Sequence, residues 1–524
     1  MMRITNAMMT SNTKNNINLN KLNEDRLNTQ IATGQVISRP SEDPVVAIRA
    51  LRLNTNLSQL TQYYKKNIPD AQAWLNVTET ALKQTDQIFT NIKENLTAGA
   101  SDNHTATDRQ KILENLKGLR AELYSSGNAD YAERTVFTDY RTQESLTFLE
   151  TDTDLNIPYD IHEEFDVKEL ESIKHITTYD STVTTLSPES QVDTLDIKRI
   201  RLAYDNLGTT QPGPKLELHY SGSNGATPPS AVDAKVFVDI MSTAGKTQQE
   251  IDQIYASVKT GGKNAVFIPE TGEILLSDTV ADLMEAGATL KDAKAAWVNY
   301  SKNEWKSGDL RPEHYFACKQ NDPKGTKIFN CNLDTTGKPN WSDPNFQNKN
   351  MEVEISFNQK ITINTHANEV YTHDIGRDID ELIKITQDVV DCDEKVTDLE
   401  KKIAAETDAA KKQNLELQLD AAKKEYSLKK DRMQKAFSGA LDTFAGYADR
   451  NNLAIANIGS MQSRLTITKE RVADQLQSFK ELADANINAE LTESSIDFAN
   501  AKLALEAAQL AAGKIAQQTL LNYL

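Results

Sequence analysis

The chain has 524 residues, 39% of them apolar, with 76 acidic against 58 basic side chains and a formal net charge of −18. Its length allows two to four domains with real cores, and the acidic balance speaks against nucleic acid as a partner, because that affinity comes largely from Lys and Arg neutralising phosphates. No run of about 18 apolar residues occurs, so no membrane insertion is expected, and the opening MMRITNAMMTSNTKNN lacks the apolar stretch of a cleaved secretory signal.

The N-terminal segment is rich in asparagine (Asn12, Asn15, Asn16, Asn18, Asn20, Asn23, Asn28) and carries a sparse apolar set, Ile4, Met8, Leu19 and Leu22. Such a segment is a weak helix in isolation and is expected to order only when neighbours bury its few apolar residues. It ends at SRPSEDP, a short polar stretch between two helices. Gly34 suits the left-handed position that closes the first helix, and Asp43 followed by Pro44 suits the cap and first turn of the second. Arg39 and Asp43 are candidate polar contacts to a neighbouring subunit; a plain helix connection, with Asp43 acting only as a cap, is the alternative.

Beyond it, Val46, Ala50, Leu53, Leu57, Leu60 and Tyr64 alternate in steps of four and three, which puts them on one helical stripe. Pro69 is expected to kink or restart the helix. The stripe then resumes at Ile68, Ala71, Leu75, Thr78, Leu82, Thr85, Phe89, Ile92 and Leu96, and a shorter one follows at Ile112, Leu116, Leu119 and Leu123. SSGNAD, from Ser125, breaks the pattern.

From about residue 135 to 375 the texture changes to short alternating runs such as MEVEISF and KITIN, separated by turn-rich stretches such as TTQPGP. Within it, Ser277 to Gly308 has helical spacing with Ser277 as a plausible cap. HEEFD, from His162, has Asp166 where a zinc-protease helix needs its second histidine, and reads as a solvated acidic segment. His314, Cys318 and Cys331 lack a paired C-x-x-C knuckle, and His314, Tyr315 and Phe316 read as local packing. TGGKNA fails as a phosphate loop on both the leading glycine and the hydroxyl. No catalytic residue, metal ligand or cofactor is expected. The three cysteines, Cys318, Cys331 and Cys392, are too few for a disulfide framework; pairing of Cys318 with Cys331 stays open, and Cys392 reads as a small core residue.

Helix returns from about Asp378. Val389, Cys392, Val396, Leu399 and Ile403 lie in a Lys- and Glu-rich background with coiled-coil texture. Ile458, Leu465, Val472 and Phe479 recur every seven residues, with Met461 and Leu482 between them, and the chain closes on the alanine-rich FANAKLALEAAQLAAGKIAQQTLLNYL.

Each helical end presents a narrow apolar stripe that it cannot leave in water, so the two ends should pack on each other. The expected fold class is α+β: an elongated antiparallel helical bundle or coiled coil formed by both chain ends, with a β-rich inserted central region. In residues, 1–40 pairs with 485–524, 41–137 pairs with 376–484, and 138–375 is the insert. Ile4, Met8, Leu503, Leu510, Leu520, Leu521 and Tyr523 belong to segments with no sufficient partner in their own chain except each other, and burial between subunits is expected for them.

MRITNAMM from Met2, ISRPSEDPVVAIRAL from Ile37, GSMQSRL from Gly459 and the terminal LLNYL resemble the flagellin superfamily, across roughly the first 140 and last 150 residues. TVFTDYRT from Thr135 is similar to a family stretch that closes the first helical leg, although Asp139 stands where a glycine is usual. Pro40 and Pro44 resemble the branch that joins hook to filament more than the repeating filament subunit, whose loop is usually alanine-rich. The resemblance implies an uncatalysed structural role in the bacterial flagellum, export of the unfolded chain through the flagellar type III apparatus, and assembly outside the cell. It also implies partners: further copies of the chain in a ring, hook-associated protein 1, flagellin, and an export chaperone on the C-terminal helix. A filament-forming flagellin, and a flagellin-like protein with an enzymatic insert, are the alternatives.

Overall fold

A computed structural model describes residues 6–101, 105–181, 187–208, 216–223, 231–260, 262–288, 296–330 and 349–521. Helices α1 (Asn6–Thr33), α2 (Pro44–Gln62), α3 (Ile68–Gly99) and α4 (Ala106–Ser126) come first, then the short pair β1 (Asp130–Tyr131) and β2 (Arg134–Thr135). The central region holds β3 (Tyr159–Phe165), β4 (Leu170–Ile176), α5 (Pro188–Gln191), β5 (Thr194–Arg201), β6 (Leu216–Ser223), β7 (Ala231–Ile240) and α6 (Gln248–Ser257). It continues with β8 (Ala265–Ile268), β9 (Glu273–Leu276), α7 (Asp278–Ala288), β10 (Ala296–Lys302), β11 (Ala317–Asp322), β12 (Gly325–Phe329), β13 (Glu352–Ser356) and β14 (Gln359–Thr362). The short α8 (Ala367–Val370) leads into α9 (His373–Ala405), α10 (Ala409–Ile487) and α11 (Leu491–Leu521). The fold class is α+β, with long helices at both chain ends and a β-rich centre.

Two compact units divide the chain: the described residues within Met1–Gln72, Val353–Ile361 and Gln462–Leu524, and those within Ala73–Glu352 and Thr362–Met461. In the first unit, α2 lies antiparallel to the last turns of α10. Asn486 Nδ2 donates to the Val46 carbonyl at 3.3 Å, and Lys469 Nζ sits 5.8 Å from the Tyr64 ring centre. Leu60 of α2 and Leu465 and Val472 of α10 are fully buried. The intervening α10 positions that turn inward are Thr468 and Ala483, whereas Leu482 is 57% exposed. Alanine at that seam lets the helices approach closely; the larger leucine one residue earlier points outward.

At Pro69 the α-helix is interrupted, and α3 begins at Ile68 after a π-turn. A proline ring lacks an N–H and clashes with the carbonyl four residues before it, and the chain absorbs this by widening into a π-turn over Tyr63–Asn67, with the Ile68 N–H bonded to the Tyr63 carbonyl. The β13–β14 hairpin closes over this turn: Tyr63 Oη donates to Glu354 Oε1 at 2.9 Å and Asn67 Nδ2 to the Glu354 carbonyl at 2.8 Å.

The second unit combines helices with a ten-stranded sheet of order β12-β11-β3-β10-β6-β7-β8-β9-β5-β4, in which β7 and β8 run parallel. Every stripe residue of α3 within this unit, from Leu75 through Thr78, Leu82, Thr85, Phe89 and Ile92 to Leu96, is fully buried. On the returning side α9 and α10 form an antiparallel hairpin, tied by Lys423–Glu400 at 3.0 Å, Lys395–Glu425 at 3.0 Å and Arg432–Glu381 at 3.0 Å. Arg120 of α4 meets Asp380 of α9 at 2.7 Å, and Asn451 Nδ2 of α10 bonds the Leu82 carbonyl of α3 at 3.0 Å. Cys392 is buried in this helical core, and burial pushes its thiol up to about 12.

Three expectations fail here for identifiable reasons. The helix expected from Ser277 to Gly308 does not run that length: α7 is described as far as Ala288, and AWVNYSK is β10, between β3 and β6. Its true period is two: Ala296, Val298 and Tyr300 are buried while Trp297 and Asn299 are half-buried, and valine and aromatic residues suit that half-covered surface. The Ser277 hydroxyl makes no capping bond, although its carbonyl accepts from Val280 and Ala281.

HEEFD is not solvated either. His162 to Phe165 lie in β3 with His162 and Glu163 both buried, and only Asp166, past the strand, is exposed. The Glu163 carboxylate accepts from the Tyr300 hydroxyl at 2.7 Å and from the Ala203 N–H at 3.0 Å, and burial pushes its pKa up to about 8. Nearby, burial holds His314 down at about 3, so the ring is neutral, with Nε2 3.0 Å from the Ser145 carbonyl. Cys318 is buried on β11, and Cys331 lies outside the described residues.

A buried ionic cluster joins sheet to helices. Arg199 of β5 contacts Glu171 at 2.8 Å, Glu273 at 2.6 Å and Glu381 at 3.2 Å, and Arg201 contacts Asp378 at 2.6 Å. Planar guanidinium groups suit such multiple pairing. No periodic pattern announces it, because its members come from β4, β5, β9, α9 and α10.

Candidate assembly surface

The first unit contains the chain's two terminal helices packed on each other. Asn20 Nδ2 of α1 donates to the Ala504 carbonyl of α11 at 3.4 Å, and Gln35 pairs with Asn488 in an antiparallel bridge, so numbers rise on one helix as they fall on the other. The inward face of α1 is Thr13, Ile17, Asn20, Glu24, Leu27 and Ile31; that of α11 is Ser494, Phe498, Ala501, Leu505, Ala508 and Ala512. Both sets step by three and four, which is coiled-coil spacing. Leu27, Ser494, Ala501 and Leu505 are the buried members and the others are half-buried.

This inward set differs from the apolar residues singled out above. Leu19 is 63% exposed and Leu22 67%, on the side of α1 away from α11, and Met8 is 52% exposed. On α11 Leu503 is 65% and Leu510 71% exposed, and Ile496, seven residues before Leu503, is 58% exposed. Each terminal helix therefore carries two faces: one spent on its partner helix, half polar on α1, and an apolar one left outside. Ile4 and Tyr523 lie outside the described residues; Leu520 and Leu521 end α11, and their side chains are likewise not described. Ile496 was missed although its spacing of seven from Leu503 was visible. The inward α1 residues were missed because half of them are polar.

The loop between α1 and α2 is built by short-range bonds. Gly34 takes φ 70° as the chain leaves α1, the left-handed conformation glycine adopts at no steric cost. Its carbonyl accepts from Ala489 N–H at 2.9 Å, and Val36 N–H donates to the Ile487 carbonyl at 2.8 Å, so the loop is stitched to the junction of α10 and α11. Glu42 accepts from both the N–H and the hydroxyl of Ser38 at 2.9 Å, and these bonds hold its carboxyl below the usual carboxylate range. Asp43 Oδ1 accepts from Val45 and Val46 N–H groups at 2.9 and 3.1 Å, with Pro44 at the first helical position. Asp43 is thus occupied as a cap. The Arg39 side chain is exposed and makes no hydrogen bond or ion pair with a described residue.

Among the described residues no group of three or more His, Cys, Asp or Glu side chains could hold a metal ion, and no helix is long and apolar enough to cross a membrane.

Residues 4–142 match the family model described as the bacterial flagellin N-terminal helical region. Over 143 residues the chain is 26% identical to flagellar hook-associated protein 3 of Salmonella typhimurium and 25% identical to the protein of the same name from Escherichia coli. Each match covers 27% of this chain and 45% of the relative, so the chain spans less than half the length of these curated relatives. Among solved structures it is similar to FlgL of Xanthomonas campestris, at 10% identity and a TM-score of 0.29 over 82% of this chain and 99% of that one.

Proposed function

We propose that this chain, whose residues 4–142 match the helical N-terminal region of bacterial flagellin, is a structural subunit of the bacterial flagellum that joins hook to filament. The observation that carries the reading is the second apolar face on the terminal helices: Leu19 and Leu22 on α1, and Ile496, Leu503 and Leu510 on α11, exposed after the two helices have satisfied each other. Side chains of this size in a row cost free energy in water and mark an interaction surface. Neighbouring copies of the chain in a ring cover that face. Hook-associated protein 1 and flagellin lie on either side of the ring, and an export chaperone covers the same face of α11 before assembly. The work is done outside the cell, at the flagellum, without a chemical step. Support comes from the name shared by the two curated relatives and from the helical match at the N-terminus.

Electron microscopy of a strain lacking the gene tests this. Hooks without filaments, flagellin in the medium and rescue by the wild-type gene are expected. Full-length filaments in the deletion strain would remove the junction role. Long filaments grown from the purified protein would instead make it a filament subunit.

A further inference from the structure

A cavity of about 190 Å³ lies within the second unit, between the sheet layer and the α9–α10 hairpin. From the sheet side it is walled by His175 of β4 and Arg199 of β5, with Tyr255 of α6 stacked on His175 at 4.0 Å between ring centres. From the helical side it is walled by Lys384 and Asp388 of α9 and by Lys429 and Arg432 of α10. Four cationic side chains therefore face one carboxylate.

Besides Asp388, the carboxylates that offset those cations stand outside the cavity lining, and two of them are shared. Glu381 serves both Arg199 at 3.2 Å and Arg432 at 3.0 Å; Glu425 serves both Lys429 at 2.8 Å and Lys395 at 3.0 Å. Lys384 is exposed and makes no hydrogen bond or ion pair with a described residue, although Glu273, Glu381 and Asp388 all feel its charge. Thr271 also lines the cavity, and its hydroxyl is buried without a hydrogen-bond partner in the structure. A buried hydroxyl left unbonded is costly unless something completes it. Asp388, the opposing carboxylate, is pulled both ways: burial raises its pKa above the ordinary value, while Lys429, Lys384 and Arg432 act to lower it.

We propose that this cavity is a binding site for a small multivalent oxyanion, a phosphate or a polycarboxylate. Lys384 and Lys429 supply charge, Arg432 supplies planar donors, and the Thr271 hydroxyl completes the set. The volume falls below the roughly 300–1,000 Å³ of pockets for drug-sized ligands, which favours a compact ion over a peptide or glycan. His175 does not compete for the ligand through Nε2, because that atom is 2.7 Å from Asp252 Oδ1.

Calorimetric titration of the full chain with inorganic phosphate and, separately, with citrate tests the site, each against sodium chloride at matched ionic strength, with thermal melting in parallel. Saturable binding and a raised melting temperature are expected for at least one anion, and which one binds names the ligand class. Lys384→Ala, at an exposed side chain that makes no hydrogen bond or ion pair with a described residue, should weaken binding about tenfold. Thr271→Val, which keeps the shape and every charge, should weaken it severalfold. No saturable binding by either anion would overturn the proposal. Binding unchanged in both variants would overturn it as well, since the anion would then sit elsewhere on the surface.

Discussion

Asp139 Oδ1 lies 2.5 Å from His366 Nδ1, and the aspartate holds this contact from a left-handed backbone at φ 56°. Asn364 Nδ2 donates to the same oxygen at 3.2 Å. Asp139 stands where the resemblance puts a glycine, and it adopts the left-handed backbone that glycine takes freely while its side chain makes both contacts. A left-handed non-glycine residue costs about 1–2 kcal/mol, whereas a hydrogen bond to a charged group contributes about 1.5–3 kcal/mol, and Asp139 accepts one from half-buried His366 and one from buried Asn364. Asp139→Gly should therefore destabilise the protein despite relieving the backbone, measured as a lower midpoint in urea; a raised midpoint would show that the strain outweighs the contacts.

The same pair sets a pH dependence. The hydrogen bond that Asp139 accepts raises the His366 pKa above the ordinary histidine value, with Glu369 adding to the effect and burial and Lys349 opposing it. A raised folded-state value stabilises the protein fully below the unfolded histidine pKa, and that contribution is lost as pH rises through the folded value. Melting of wild type and His366→Gln should differ most near pH 6 and converge toward pH 9. A gap that widens with pH would contradict the assignment.

Leu503 and Leu510 point away from α1, whereas Ala501 and Leu505 face it. Leu503→Asp with Leu510→Asp should leave the melting of the purified protein nearly unchanged and abolish motility, because charge on the outer face meets a penalty only when a partner covers it. Ala501→Asp with Leu505→Asp should instead raise amide exchange along α1 in the isolated protein, since those positions close the α1–α11 seam. Normal motility in the first double mutant would remove the outer face from assembly.

In the loop before α2, each residue has a separable task. Asp43→Ala removes two capping bonds and should cost about 1 kcal/mol. Pro44→Ala should cost on the order of 1 kcal/mol or less, through the unfolded chain. Arg39→Glu should melt normally and export normally, yet release flagellin into the medium because reversed charge disturbs a subunit contact. Full-length filaments at normal number in that strain would leave the loop as a capped turn stitched to the α10–α11 junction.

Arg199 contacts three carboxylates from two layers. Arg199→Met should destabilise by about 3–5 kcal/mol, because Glu273 and Glu381 are left buried without their principal cation. Burial alone works to raise the Glu381 pKa, but Arg199 and Arg432 together hold it below the ordinary carboxylate value. Its contribution is therefore present above the ordinary glutamate pKa and lost as pH falls. Wild type should lose stability in acid more steeply than Arg199→Met, and parallel acid curves would show that the cluster is not the cause.

What the amino-acid sequence by itself determined is the set of features that depend on near neighbours. The three-four spacing from Leu75 to Leu96 needed only a partner surface to become a buried stripe, and Asp43 with Pro44 started a helix by bonds spanning three residues. The tertiary structure decided which of two possible faces a helix buries. On α1 the apolar Leu19 and Leu22 stay outside while Asn20 and Glu24 turn toward α11, because the closeness permitted by Ala501 and Ala508 selects the seam. It also decided strand identity: AWVNYSK and HEEFD acquire their burial from β6, β11 and each other, partners distant in the chain. Arg199 and its carboxylates belong to the same class, since a charge becomes a structural element only when folding removes the water that would otherwise solvate it.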